Sequence, residues 1–291
     1  MKQRMVSKYL AIAVPASMIS DTPHLREKTA KIGVVGRAAA IFQVNEIIVY
    51  ADSPRVNQKA DLGLIVTLLN YMETPQYLRK RLFEIEPDLQ CAGILPPLRT
   101  PHHPLLGKFK DLRVGDYREG VTVSKAKDGT LVDIGSERPV LLKDTQLPLN
   151  RRVTIKITKL AGGQIEVEQI DRSDVPMYWG YTVTTERRPL SKILEAGNFD
   201  LTIGTSRFAP RFQDIKEKLG ERWKKAGNIL ILFGAPTRGL HEIAEEEGKN
   251  FDTMVDFVIN TVPDQGTETV RTEEALLATL AIFNVQYDFF G

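Results

Sequence analysis

Three apolar runs in the C-terminal third of the chain end in short segments of glycine, threonine and charged residues. They are I-G-T-S-R-F-A-P-R-F (Ile203 to Phe212), I-L-I-L-F-G-A-P-T-R-G-L (Ile229 to Leu240) and F-V-I-N-T-V-P-D-Q-G-T-E-T-V-R-T-E-E-A-L-L-A-T-L (Phe257 to Leu280). In an open α/β sheet ligands bind beyond the carboxyl ends of the strands, and small residues there let a ligand approach the main chain. Thr205, Ser206, Arg207 and Arg211 put hydroxyls and cations in the first loop. Backbone amides of the third loop could hold a carboxylate or the edge of an adenine. One glycine loop alone is as readily a tight turn after a core strand, and the three-glycine dinucleotide fingerprint is absent. The weight lies in three consecutive strands ending this way. Thr272 is the expected cap of the last helix, with Glu273 and Glu274 in its first turn.

The elements that must position these loops follow from periodicity. Tyr9 to Val14 and Glu46 to Tyr50 read as buried strands. Leu25 to Val44 reads as a helix capped within Asp21 to Pro23, and Asp61 to Asn70 and Thr74 to Phe83 read as helices. This β-α-β-α order predicts a parallel sheet covered by helices. The proline-rich stretch L-P-P-L-R-T-P-H-H-P interrupts it. From Gly115 to Ile170 five short alternating strands follow, with turn signals at Asp128-Gly129 and Gly162-Gly163, as in a small OB-like barrel. The α/β pattern then returns, with helices at Leu190 to Ala196, Ile215 to Lys224, Leu240 to Glu246 and Glu273 to Asn284. Strands are read at Asp200 to Gly204, Asn228 to Gly234 and Met254 to Asn260. The expected organisation is an α/β domain of residues 1–94 and 174–291 interrupted by a β insertion of residues 95–173.

Composition narrows the function classes. With 42% hydrophobic and 26% charged residues the chain has the makings of an ordinary globular core, and a net charge of +2 means that any basic surface must be local. Cys91 is the lone cysteine, so no disulfide can form within the chain. No apolar run reaches the length of a membrane span, and the N-terminal one stops at Pro15, so it reads as a core strand rather than a signal peptide. A reducing, cytoplasmic setting without a membrane partner is expected. Adjacent His102 and His103 on a proline-rich linker suit a structural or RNA-contact role, and no metal is expected. No G-x-S-x-G elbow is present and Cys91 has no evident partner, which argues against a covalent nucleophile. Lys108, Lys110, Arg113, Arg151 and Arg152 cluster in or beside the β segment, where they could track a nucleic-acid backbone.

The segments F-G-A-P-T-R-G-L and N-T-V-P-D-Q-G-T-E-T-V-R-T-E-E-A resemble the strand-loop signatures of the SPOUT, or α/β-knot, methyltransferases. K-I-G-V-V-G-R-A-A-A-I-F-Q-V-N-E-I-I-V-Y resembles the first motif of that superfamily. A-G-I-L-P-P-L-R-T-P-H-H-P, with the β insertion, is similar to one branch of archaeal proteins and eukaryotic relatives grouped as RNA methyltransferases. The resemblance covers most of the chain. It implies a trefoil-knotted α/β domain with a mostly parallel sheet, interrupted by an OB-like RNA-binding barrel. It also implies S-adenosylmethionine as methyl donor, RNA (ribosomal in expectation) as substrate, and a homodimer formed through the knotted domain. The aromatic terminus F-N-V-Q-Y-D-F-F-G is a candidate part of that interface.

The resemblance further implies a cofactor site at Thr205, Phe233, Gly234, Thr261, Val262, Gln265, Gly266, Thr267 and Thr269, with backbone lying against the ligand at Gly234 and Gly266. A valine at Gly266 is then expected to abolish binding. Arg37, Arg207 and Arg271 would steer charge in catalysis, and Glu268 is the candidate base. Many superfamily members carry a glutamate after the second-motif glycine and an asparagine near the start of the last helix; here the sequence reads G-A-P-T and R-T-E-E-A. Two functions follow: an S-adenosylmethionine-dependent RNA methyltransferase, or a non-catalytic RNA-binding or ribosome-assembly factor that keeps the fold.

Overall fold

The computed structural model describes residues 8–105, 107–161 and 164–287. The Gly162-Gly163 turn and the last four residues of the aromatic terminus lie outside the described residues. In chain order the elements begin with β1 (Tyr9–Pro15), α1 (Leu25–Ile41), β2 (Glu46–Tyr50), α2 (Lys59–Glu73) and α3 (Gln76–Leu82). Five strands follow: β3 (Tyr117–Ala126), β4 (Gly129–Asp133), β5 (Val140–Lys143), β6 (Arg152–Ala161) and β7 (Gln164–Ile170). The chain continues through β8 (Thr182–Glu186), α4 (Leu190–Ala196), β9 (Leu201–Thr205), α5 (Phe212–Lys225) and β10 (Asn228–Leu232). It closes with α6 (Leu240–Glu246), β11 (Phe257–Ile259) and α7 (Thr272–Gln286). Two compact units result. One comprises the described parts of Met1–Asn70, Asp88–Pro96 and Tyr181–Gly291; the other comprises Tyr71–Pro87 and Pro97–Gly180.

The first unit is built on a six-stranded sheet in the order β11-β9-β10-β1-β2-β8, with every pairing parallel. A parallel sheet has helices on its faces, so its central strands are buried on both sides and read as continuous apolar runs. β1 and β10 are such strands, buried from Leu10 to Pro15 and from Ile229 to Leu232. β8 has no counterpart among the expected strands. Its sequence T-V-T-T-E is largely exposed and pairs on one side only, with β2, where Thr184 donates its hydroxyl to Glu46 at 2.8 Å. An edge strand with one solvated flank carries no apolar run to betray it.

Three local expectations are corrected. The residue preceding α1 is His24, with no side-chain cap, rather than one of Asp21 to Pro23. Arg271, not Thr272, precedes α7, and Thr272 is the first helical residue. The terminal aromatics Phe283 and Tyr287 are buried in their own chain rather than offered to a partner. Trp223 meets the ring of Phe283 edge-on at 5.3 Å and stacks on that of Tyr287 at 5.2 Å. Among the described residues no helix is long and apolar enough to cross a membrane.

The second unit holds a five-stranded antiparallel sheet in the order β5-β4-β3-β6-β7. Bulges near Thr122 and Ile157 bend the long strands β3 and β6. β5 and β7, at opposite ends of that order, pack against each other, so the sheet curls towards a barrel. Its interior is filled by Val132, Ile134, Val140, Leu142, Val153, Ile155 and Ile157.

A buried ionic cluster sits beside this core. The Glu73 carboxylate accepts Arg152 Nη1 at 2.5 Å and Arg172 Nη2 at 2.7 Å. Arg152 also donates Nε to Glu119 at 2.5 Å, and Glu119 accepts the Thr154 hydroxyl and the Trp179 indole N–H. The backbone carbonyl of Glu73 accepts Nε2 of His102 at 2.9 Å and of His103 at 2.8 Å, a pairing that puts the proton on Nε2 in both rings. Gly180 closes the cluster with a φ of +83°; a Cβ there would lie 2.5 Å from His102 and 2.7 Å from the Glu73 carboxylate. Burial alone would raise the Glu73 carboxyl, but Arg152, His102 and Arg172 hold it well below the ordinary carboxylate range.

Removing one member strands the others. Glu73→Ala leaves Arg152 and Arg172 without their shared anion, and is expected to cost about 3–5 kcal/mol in urea unfolding of the full chain. His103 adds a pH dependence. Burial, reinforced by the adjacent His102, lowers the His103 ring from 6.5 to about 4. Between those values the unfolded chain binds more protons, so the stability tied to neutral His103 is complete above 6.5 and is lost as pH falls towards 4. His103→Gln is expected to flatten the urea midpoint against pH across that window; an unchanged slope would place the titration elsewhere.

Candidate active site

The loops after β9, β10 and β11 converge with the start of α7 on a cavity of about 820 Å³ at the carboxyl edge of the first unit's sheet. Three adjacent strands, β11-β9-β10, therefore deliver their loops to one place, although α5 and α6 separate them in sequence. Phe233 forms a buried part of the wall. It is fixed by its N–H to Ala13 O at 3.0 Å and by the Tyr50 hydroxyl, which donates to its carbonyl at 2.7 Å. Thr205 donates its hydroxyl to Leu232 O at 3.0 Å, and Thr272 to Gly234 O at 2.8 Å. The Thr272 hydroxyl thus ties α7 to the β10 loop, which is why it does not cap its own helix. A hydrogen-bonding role for this hydroxyl at the start of the helix was legible; its partner was not.

Asn260 holds the first and third loops together. Its backbone N–H donates to Pro210 O at 2.9 Å and its carbonyl accepts Phe212 N–H at 2.9 Å. Its carboxamide donates Nδ2 to Arg207 O at 2.9 Å and accepts Val262 N–H at 3.0 Å. The second of these is an Asx turn, the local signal by which an asparagine directly after a strand could have been singled out. The third loop then stitches itself. Gln265 Nε2 donates to the carbonyls of Thr267 and Glu268 at 2.9 and 3.1 Å, and Arg211 pairs with Asp264 at 3.0 Å.

The expected cofactor residues Thr205, Phe233, Gly234, Thr261, Val262, Gln265 and Thr269 all line the cavity. Gly266 and Thr267 stand at the exposed tip of the third loop, off its wall. A Cβ at Gly266 would meet no protein atom within 4 Å. Gly234 is the crowded glycine: a Cβ there would lie 3.1 Å from Gly239 Cα and from Leu240 N.

Of the catalytic candidates, Arg207 and Glu268 line the cavity. Arg207 donates Nη1 to the Glu268 carbonyl at 2.5 Å and lies 4.6 Å over the exposed ring of Phe208. Arg271 is outside the lining, with its backbone N–H on the Glu274 carboxylate at 2.9 Å. Arg37 is half-buried in α1, also outside the lining. Arg238, which sequence reasoning passed over, lines the cavity but is held by Asp52 at 2.8 Å and Glu246 at 2.9 Å. In the second unit Lys108, Lys110, Arg113 and Arg151 are exposed. Arg152 is corrected: its guanidinium is engaged by Glu73 and Glu119, so it is a structural cation and not a phosphate ligand. Among the described residues no group of three His, Cys, Asp or Glu side chains could hold a metal.

The cavity combines an apolar wall with backbone and hydroxyl groups on loops and with both cationic and carboxylate side chains, a setting for a small polar ligand. A model of the family described as "Putative RNA methyltransferase" matches residues 9–283. The chain belongs to that family. A mouse protein named 28S rRNA (uridine-N(3))-methyltransferase is 33% identical over 302 residues, covering 94% of this chain and 75% of its own. The human protein of the same name is 32% identical and covers 94% and 77%. An uncharacterized protein of Haloarcula marismortui is 31% identical and covers 93% and 96%. The family match spans both units, so the β insertion belongs to this RNA methyltransferase family as much as the parallel sheet does.

Asn260→Ala removes two side-chain hydrogen bonds, one to Arg207 in the first loop and one to Val262 within the third. It is expected to cost about 1–3 kcal/mol and to raise amide hydrogen exchange in residues 206–212 and 261–270 together. Exchange that rises in one loop alone would show that Asn260 does not couple them.

Proposed function

We propose that this chain is an S-adenosylmethionine-dependent methyltransferase of ribosomal RNA, with N3 of a uridine as acceptor. The observation that carries this reading is the convergence of three strand-end loops on one cavity in a member of an RNA methyltransferase family. The acceptor is suggested by the names of the mammalian relatives. The trefoil knot, the OB-like character of the second unit and pairing into a homodimer are part of the same proposal. The dimer is supported by apolar side chains left exposed on the packed pair α1 and α7, namely Val34, Ile41, Leu277 and Val285.

The residues present suit the donor. The cavity lies within the size range of small-molecule sites, Phe233, Ile259 and Val262 supply apolar wall, and Glu242 and Asp252 supply carboxylates for a cationic ligand. When bound, S-adenosylmethionine supplies a methyl carbon whose bonding pair leaves with sulfur. The chain's own residues must then do two things. They must hold the acceptor nitrogen in line with that carbon, a matter of orientation. They must also take the proton from N3, which lies between two carbonyls of the uracil. We assign the proton to the Glu268 carboxylate and the charge spreading onto the uracil oxygens to the Arg207 guanidinium. Phe208, exposed beneath Arg207, is a platform on which a base can stack.

Exposed Lys108, Lys110, Arg113 and Arg151 on the second unit supply affinity for the RNA backbone. Replacing by alanine any one of these cations that neutralises a phosphate is expected to flatten the slope of log affinity against log salt by about one unit. Donor titration followed by mass spectrometry of methylated RNA tests the assignment. Gly234→Val should abolish donor binding, whereas Gly266→Val should spare it. Glu268→Gln should keep donor binding and lower kcat by about 100-fold or more. A chain that binds RNA but no donor would instead be the non-catalytic assembly factor.

A further inference from the structure

A second cavity, of about 360 Å³, opens in the first unit over the other half of the sheet, between the loop after β2 and the segment joining β8 to α4. Its floor is built rather than incidental. Buried Gln58 accepts the backbone N–H of Asp52 and of Ser53 at 3.0 Å each, and donates to the Asp52 carboxylate at 2.8 Å. Asp52 in turn accepts Ser17 N–H and hydroxyl at 3.0 and 2.6 Å and pairs with Arg238. The Glu247 carboxylate, on the wall, accepts the backbone N–H groups of Leu190 and Ser191.

Above this floor the side chains are unengaged. Lys59 and Arg187 line the cavity, and among the described residues neither side chain has an ion-pair partner, whereas the neighbouring Arg188 is paired with Glu186. Val56 stands 62% exposed at the rim, with Leu62 and Pro189 as further apolar wall. The carboxamide nitrogen of Asn57 also has no partner among the described residues, its oxygen being used by Lys59 N–H at 3.1 Å. Two unpaired cations, an apolar slot and one free amide donor are the complement of a nucleotide: phosphate, base face and a base carbonyl. The cavity is at the small end of the range for small-molecule sites, suited to one such unit and not to a helical segment.

We propose that this pocket holds one nucleotide of the RNA substrate outside the reacting position. Its base would lie between Val56, Leu62 and Pro189, and its phosphate on Lys59 and Arg187. The proposal rests on the reading of the chain as an RNA methyltransferase. Asp52, on this pocket's wall, and Arg238, on the wall of the larger cavity, form one ion pair, so a nucleotide seated here is registered against the donor site.

The test is a Lys59→Ala/Arg187→Ala double variant, with Val56→Asp as an independent change at an exposed position. RNA affinity is expected to fall about tenfold and the salt slope to flatten by one to two units, with donor affinity unchanged. Photocross-linking of RNA carrying 4-thiouridine should label residues 51–62 in the wild type and lose that label in Val56→Asp. Wild-type affinity and slope in the double variant, or cross-links confined to other segments, would overturn the proposal alone. Saturation of the pocket by uridine monophosphate without any RNA cross-link there would make it a free-nucleotide site and overturn it equally. A wild-type chain that binds no RNA would remove the methyltransferase reading and this one together.

Discussion

A loop that leaves the end of a parallel strand has no further strand to satisfy its amides and carbonyls, and at the edge of this sheet three such loops meet. They satisfy one another. Asn260 gives a backbone bond in each direction to Pro210 and Phe212, and its carboxamide reaches Arg207 and Val262. Thr205 reaches the end of β10 and Thr272 reaches Gly234. Besides the bonds each loop makes within itself, the loops use one another as hydrogen-bonding partners. The cavity is therefore a property of the set of loops rather than of any one of them. Mutually bonded backbone is what a site needs if it is to orient two reactants rather than merely collect them.

The second unit solves a different problem. A small curled sheet buries little apolar area, and here it is supplemented by an ionic cluster made from distant parts of the chain. Glu73 comes from the end of α2, the two histidines from the proline-rich linker, Arg152 from β6, and Arg172 and Trp179 from the segment after β7. Such a cluster gives no large net stabilisation over a well-packed apolar core, but it admits few alternative pairings. Gly180 illustrates the constraint, since the cluster leaves no room for a side chain at that point.

The parallel sheet was legible wherever burial on both faces leaves an uninterrupted apolar run, as in β1, β2 and β10, and the five antiparallel strands wherever alternation and a turn such as Asp128-Gly129 coincide. β8 was not, because its partner lies on one side and its threonines face solvent. The converging loops were legible as types of residue at the ends of strands. Which loops bond to which was not, since Asn260 and Pro210 are brought together only by the order β11-β9-β10. The same limit applies to charge. Arg152 reads in sequence like Arg151 beside it, but alternate residues of a strand face opposite ways, and one of the pair is turned onto buried carboxylates. The terminal aromatics could not announce Trp223 as their partner for a similar reason: it belongs to α5, far away in sequence.

Pairing also decides which cation can act at the larger cavity. Arg238 lies on its wall but faces two carboxylates, and Arg211 is tied to Asp264. Their charges are compensated and their geometry is committed to holding loops. Arg207 is bonded instead to a carbonyl, Glu268 O, a partner that fixes the guanidinium without cancelling its charge. A cation held by a neutral acceptor keeps its field for whatever enters, and inside a partly enclosed cavity that field is screened less than it would be on an open surface. The same bond places the guanidinium against the backbone of the residue whose carboxylate is the candidate base. The distinction between Arg207 and its two neighbouring arginines rests on what each is bonded to rather than on residue type.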